Sequence, residues 1–257
     1  MYCFLGFNTD TPIIATAIHH GHQLRPGLEE EMKISKADRL REEDPYTGLF
    51  CDVVDCRVIA EKSRFEVDLN RPRERAVYRT PKDAWGIQVW HGLPSQQVID
   101  DSLDYYDSFY AEVEEACRDL IARLGKIVVL DIHSYNHRRL GPDAPPDDPQ
   151  ENPEVNLGVG SVNMKIWGDM IEDFEQRFAQ QYVNGSPLDV RTNIRFTGGS
   201  FVRWLHRTFP EDVCGIAVEF KKTFMDEWSG ELNHAYLNEL RLALHNALPA
   251  LLNVVAK

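Results

Sequence analysis

Lys126-Ile127-Val128-Val129-Leu130-Asp131-Ile132-His133 is the stretch on which the reading of the fold turns. A short, unbroken apolar run rich in β-branched side chains fits a strand buried on both faces, and such strands belong to sheets covered on each side. Pro12 to Ile18 and Val213 to Glu219 have the same character, while Val53 to Ala60 and Phe65 to Leu69 are weaker strand candidates. The three strong runs end in, or lead directly into, His19, His133 and Glu219.

Helical periodicity fills the intervals. From Gln96 to Leu124 the residues Val98, Leu103, Tyr106, Phe109, Val113, Ala116, Leu120 and Leu124 recur on one face, with Ser95 as a cap and Gly125 as a stop. Further helices are predicted over Val162 to Tyr182, Ser200 to Thr208 and Leu232 to Leu252. Strands alternating with helices predict an α/β sheet covered on both faces. Ligands in such folds sit beyond the carboxyl ends of the strands, where these two histidines and the glutamate lie.

At 257 residues, with no internal repeat or linker, residues 1–257 read as a single domain. Leu140 to Gly160 carries Pro142, Pro145, Pro146, Pro149 and Pro153 among acidic residues and reads as a loop, either a cover over the site or a passive excursion.

Lys and Arg total 28 against 41 Asp and Glu, a formal charge of −13. That field repels nucleic-acid backbones and anionic membranes. An anionic substrate would need a locally positive site built from a metal or a few arginines. The five cysteines are scattered with no Cys-x-x-Cys pair and read as reduced thiols. No apolar run approaches the roughly 20 residues of a membrane span, and Met1-Tyr2-Cys3-Phe4 lacks the basic region of a signal peptide. The expected compartment is the cytoplasm.

Four short stretches carry chemistry. In Ile18-His19-His20-Gly21-His22 a turn at the glycine would bring His22 beside His19, a pair suited to zinc, against the competing reading of a solvated loop. In Asp131-Ile132-His133 the alternation of a strand puts both polar side chains on one face, where the carboxylate can orient the imidazole. Glu219, closing an apolar strand, is exposed, paired or used, and burial would raise its pKa toward the range useful for moving protons. In Asp68-Leu69-Asn70-Arg71-Pro72 the planar guanidinium of Arg71 can grip a carboxylate in two places while Asn70 adds an amide hydrogen bond.

The order of these pieces resembles the N-formylglutamate amidohydrolase family, a relative of the zinc carboxypeptidases. The resemblance rests on His19 and Gly21, Asp68 to Pro72, Asp131 to Ser134, Asn193 to Gly199, and Glu219 with Met225-Asp226-Glu227, and extends from about residue 12 to 231. It implies a zinc-peptidase-like three-layer α/β/α sandwich with a mixed, largely parallel sheet. It also implies hydrolysis of an N-acyl acidic amino acid such as N-formylglutamate. By the same resemblance His133 is a metal ligand, Asn70 and Arg71 hold the substrate carboxylate, and Glu219 is the general acid/base.

Carboxypeptidases place a glutamate three positions after their first histidine ligand, a position held here by His22. A zinc site of His19, His22 and His133 is therefore expected, with an acidic ligand from Glu43-Asp44 as the alternative and His20 competing with His19 in the count back from Pro26. Another divalent transition metal would also suit imidazole and carboxylate ligands. Arg64, Asn193 and Arg195 are further candidates for holding substrate, although Arg64 also reads as a surface residue and Asn193-to-Ser200 as a helix cap. Two rival functions remain open: a metallocarboxypeptidase or deglutamylase acting on a peptide carboxylate, and a non-catalytic metal- or ligand-binding protein on a decayed hydrolase scaffold.

Overall fold

A computed structural model of the chain describes residues 2–252. Its centre is strand β4, Ile127–Tyr135, every residue of which is buried, flanked by β2, Ile13–Ala17, and β9, Val213–Lys221. These three run parallel, and β4 and β9 stay in register from Ile127 opposite Val213 to Tyr135 opposite Lys221. Outward on one side lie β3, Cys56–Ala60, parallel to β2, and the edge strand β1, Tyr2–Leu5, antiparallel to β3. On the other side β5, Val155–Gly158, runs antiparallel to β9 and pairs with β8, Val190–Thr192. The seven-stranded order is β1-β3-β2-β4-β9-β5-β8, and β6, Tyr182–Val183, with β7, Ser186–Pro187, forms a separate hairpin.

Strand alternation sorts the core into two layers. Ile13, Ala15, Val128, Leu130, Ile132, Ile216 and Val218 pack against α5, Met164–Ala179, α7, His234–Ala247, and α8, Pro249–Leu252. Ile14, Ile127, Val129 and Val213 face α4, Gln96–Leu124, and α6, Ser200–Thr208. Helices thus cover both faces, giving a mixed, mostly parallel sheet in three layers. Residues of the second parity, including Thr16, Asp131, His133 and Glu219, continue along the α4/α6 face to the strand ends. Short helices α1, Leu28–Glu31, α2, Lys36–Glu42, and α3, Thr47–Phe50, occupy the stretch between β2 and β3. Among the described residues, no helix is long and apolar enough to cross a membrane.

Three expected elements come out differently. Phe65 to Leu69 is buried but not a strand: Glu66 and Val67 amides turn back to the Ser63 carbonyl and the Asp68 amide to that of Ala76. Apolar residues here fill an irregular segment enclosed from all sides, so burial mimicked a strand pattern. The end of the expected 140–160 loop is β5, whose backbone finds partners on β9 and β8. The helix expected to run on to Leu252 breaks at Leu248, because Pro249 has no amide hydrogen to donate.

Candidate active site

Three side chains converge at the carboxyl ends of β2 and β4. His19 follows β2 in a turn, His133 lies near the end of β4, and Asp44 follows α2; all three are buried and offer donor atoms within 4.8 Å of one another. Asp44 Oδ2 lies 3.4 Å from His19 Nδ1 and 2.8 Å from His133 Nδ1. The far nitrogen of each ring is held by another buried carboxylate, His19 Nε2 at 2.7 Å from Asp68 Oδ1 and His133 Nε2 at 2.9 Å from Asp131 Oδ2. Asp131 is fixed in turn by the Thr16 hydroxyl, which donates to it at 2.8 Å, and the Asp44 amide donates to the His19 carbonyl at 3.0 Å.

Carboxylates behind the outer nitrogens are how metal-binding imidazoles are oriented. His19 Nδ1 is buried and has no hydrogen-bond partner, an arrangement that costs free energy unless something else meets the lone pair. A divalent cation between two imidazole nitrogens and a carboxylate oxygen would meet it, and the nitrogen-oxygen donor set suits zinc and its neighbours. The residues therefore fit a metal.

Glu219 sits directly opposite His133 in the β4–β9 register, so the two side chains share a face. It is 9% exposed, and burial pushes its carboxyl up to about 7, a rise that His133 opposes and the negative charges of Asp44 and Asp131 reinforce. Burial acts in the same direction on Asp44, but the hydrogen bond from His133 and the nearness of the His19 ring outweigh it and hold that carboxyl far below the usual range. For His133, burial favours the neutral ring while Asp131 and Glu219 outweigh it and raise its pKa. Two carboxylates side by side are thus driven apart: Asp44 stays ionised, and Glu219 is poised to take or give a proton near neutrality.

Asp68, fully buried, links this cluster to the cationic wall. Besides His19 it receives hydrogen bonds from Arg64 Nη2 at 2.9 Å, the Asn70 amide at 2.8 Å and the Tyr78 hydroxyl, with Arg71 Nε 3.6 Å away. Asn70 reaches the other way, its Nδ2 3.4 Å from His133 Nε2 and its Oδ1 accepting from the Phe201 amide at 3.0 Å. That position leaves no room for a side chain at Gly199, where a Cβ would lie 2.1 Å from Asn70 Oδ1. Trp85, half exposed at φ 51°, lies over Arg64 and Arg71, with its ring centroid 4.8 and 5.8 Å from their guanidinium carbons.

His19, Asp44, His133 and Glu219 line one cleft of about 550 Å³ with Arg64, Asn70, Arg71, Trp85 and Gly199, while Asp68 and Asp131 lie behind it. The cleft also carries Arg195, stacked over Tyr135 and Phe196, and Arg203; Arg75 and Arg139 complete a strongly cationic lining, while Lys222 at its edge is buried with its ammonium turned to main-chain carbonyls. A chain of net charge −13 thus concentrates arginines where an anion would bind.

Arg64, Asn70, Arg71 and Arg195 lie in the cleft with His19, His133 and Glu219. His22 does not join them. Gly21 runs hard against the Glu61 backbone, and the Gln23 amide bonds to the Glu61 carbonyl at 3.0 Å, so the chain stays extended alongside the end of β3. His22 is carried to the surface, and Asp44 takes the place expected for it. His20 does not join the cluster either; its Nδ1 accepts from the Gly48 amide at 3.3 Å. Glu43, beside Asp44, points instead to Ser63 and Arg39.

Asn193 is exposed and outside the cleft; it adopts φ 56° and ties the Val159 amide to its own side chain at 2.9 Å, which makes it a turn residue. Among the described residues none from 140 to 160 lines the cleft. The sequence reading missed Lys222, Arg139, Arg203, Arg75 and the linking role of Asp68. Lys222, an ionisable group three residues beyond Glu219 at a buried strand end, carried the same kind of signal as Glu219 itself.

Seven mixed strands between helical layers, with imidazole and carboxylate donors gathered at the carboxyl ends of the parallel strands, define a three-layer α/β fold with a candidate metal site. The sequence pattern of the N-formylglutamate amidohydrolase family matches residues 11–225, and the chain belongs to that family. The crystal structure of N-formylglutamate amidohydrolase from Ralstonia eutropha JMP134 aligns with a TM-score of 0.76 at 16% identity, covering 97% of this chain and 96% of that one. A gene product of Agrobacterium tumefaciens aligns with a TM-score of 0.69 at 16% identity, covering 100% of this chain and 96% of its own. At these identities both speak for the fold alone. No curated protein sequence matches the chain.

Proposed function

We propose that this protein hydrolyses the amide bond of an N-acyl acidic amino acid such as N-formylglutamate, with one divalent cation, zinc in the first instance, on His19, Asp44 and His133. The observation that carries the reading is the pairing of an unpartnered, inward-facing His19 Nδ1 with a buried Glu219 at the same register position as His133. When bound, the cation supplies a Lewis acid that polarises the amide carbonyl and brings the pKa of water to about 7.

The chain's own residues do the rest. Glu219 takes a proton from the attacking water and returns it to the leaving nitrogen, a role that calls for a pKa near neutrality. Arg71 and Asn70 hold the substrate carboxylate, Arg64 faces the carbonyl oxygen as charge develops on it, and Arg195 offers a cation to an acidic side chain. Asp68 and Asp131 keep both imidazoles turned inward.

A second reading, cleavage of a peptide ending in an acidic residue, is supported by the cleft. Its volume of about 550 Å³ falls in the range of pockets that take much larger ligands. The test is elemental analysis of the purified protein, then hydrolysis of N-formylglutamate, longer N-acyl glutamates and glutamate-terminated peptides, with the metal removed and restored. Protein that binds no divalent metal, or that turns these substrates over equally well without it, would end the proposal.

A further inference from the structure

Lys222 is 2% exposed, yet among the described residues its ammonium lies within ion-pairing distance of no carboxylate. Its Nζ donates instead to two main-chain carbonyls, Arg41 O at 2.6 Å and Glu43 O at 2.7 Å. Both belong to the exit of α2, where helical carbonyls lack partners within the helix and the helix dipole favours a cation. The Glu43 carbonyl is part of the peptide bond that leads into Asp44, and the nitrogen of that same bond donates to the His19 carbonyl at 3.0 Å. The plane of the peptide is therefore pinned from both sides, by Lys222 on one and by the His19 turn on the other.

The backbone of Lys222 is fixed as well. Its amide donates to the Tyr135 carbonyl at 3.0 Å, just past the end of the β4–β9 ladder that sets Glu219 opposite His133. Asp44 comes from a loop and has no strand to hold it, whereas His133 and Glu219 lie on adjacent paired strands.

We propose that Lys222 is a positioning residue for Asp44. Its ammonium ties the loop that carries this carboxylate to the strand that carries Glu219, so that Asp44 Oδ2 is presented to the two Nδ1 atoms before a metal arrives. It acts on the metal through Asp44 and makes no bond to the substrate. The proposal rests on the metal site described above.

The test is zinc affinity, measured by chelator competition on wild-type protein and on K222M, K222R, D44A and the D44A/K222M double variant, with circular dichroism of the metal-free proteins to establish folding. Removal of an outer-shell group typically weakens metal binding about 10–100-fold, and K222M is expected in that range, with KM for N-formylglutamate unchanged. K222R is expected to recover most of the affinity, because a guanidinium can still donate to both carbonyls. In the D44A background the effect of K222M should vanish, since the group it orients is gone.

A folded K222M with wild-type zinc affinity, a rise in KM without change in affinity, or an undiminished effect in the D44A background would each overturn the proposal. Should K222M not fold, a K222R variant with lowered affinity that persists beside D44A would do the same. If D44A itself binds zinc like the wild type, the ligand assignment fails, which is a separate outcome from failure of Lys222.

Discussion

Replacing Glu219 with Gln tests the site through stability and activity together. Burial sets the folded-state pKa of Glu219 at about 7, against an ordinary value of 4.5. Between those values the folded protein holds a proton that the unfolded chain has released, so the native state is progressively penalised as pH rises through this window and the cost is complete above it. The gap corresponds to about 3 kcal/mol, at about 1.4 kcal/mol for each pH unit. Glutamine does not ionise and escapes the penalty. In urea unfolding of metal-free protein followed by circular dichroism, the stability of E219Q relative to wild type should therefore rise by about 3 kcal/mol between pH 4.5 and 8. The same variant should keep its zinc while kcat/KM falls about 10²–10⁴-fold, the usual worth of a general acid/base. A stability difference that stays flat across the window would refute the burial argument. Near-full activity of E219Q would refute the catalytic one.

Further expectations follow from individual contacts. His22→Ala should leave the zinc dissociation constant unchanged in chelator competition, whereas His133→Ala should abolish tight binding, because only the second ring faces Asp44. Gly199→Ala should lower kcat/KM by up to about 100-fold with little loss of fold, since a Cβ 2.1 Å from Asn70 Oδ1 forces that amide aside and displacements of about 1 Å can cost that much; steady-state kinetics beside a thermal melt checks it. Saturating zinc at about 100 times its dissociation constant should stabilise the protein by about 2.7 kcal/mol, read in calorimetry as a rise in Tm of roughly 5–10 °C that a chelator reverses.

Much of the framework was legible because buried parallel strands announce themselves as unbroken apolar runs, and a polar residue closing such a run has few bland explanations. His19, His133 and Glu219 stand out on that basis and share one cleft, and the α4 helix matches its periodicity at both ends. Asp44 was only an alternative because it sits in a loop in a chain with 41 acidic residues, where no periodicity singles one out. His22 misled for the opposite reason: local spacing favoured a turn at Gly21, while the packing of that glycine against Glu61, a long-range contact, kept the chain extended. β5 was hidden because two of its four residues, Asn156 and Gly158, are poor strand formers and its stability comes from partners on both sides.

The fan of bonds around Asp68 bears on how such an enzyme could acquire a new substrate. One carboxylate steadies the His19 ring of the proposed metal site and also Arg64 and Asn70, the groups proposed to hold the substrate, so on that reading altering the grip disturbs the chemistry with it. The side chains of Arg195 and Arg203, which bond to Asn152 and to the Gly198 carbonyl, have no such tie to the imidazoles among the described residues and can vary at far less cost. Changes in preference should accumulate there first, and mutagenesis confined to those two positions is the economical place to look for them.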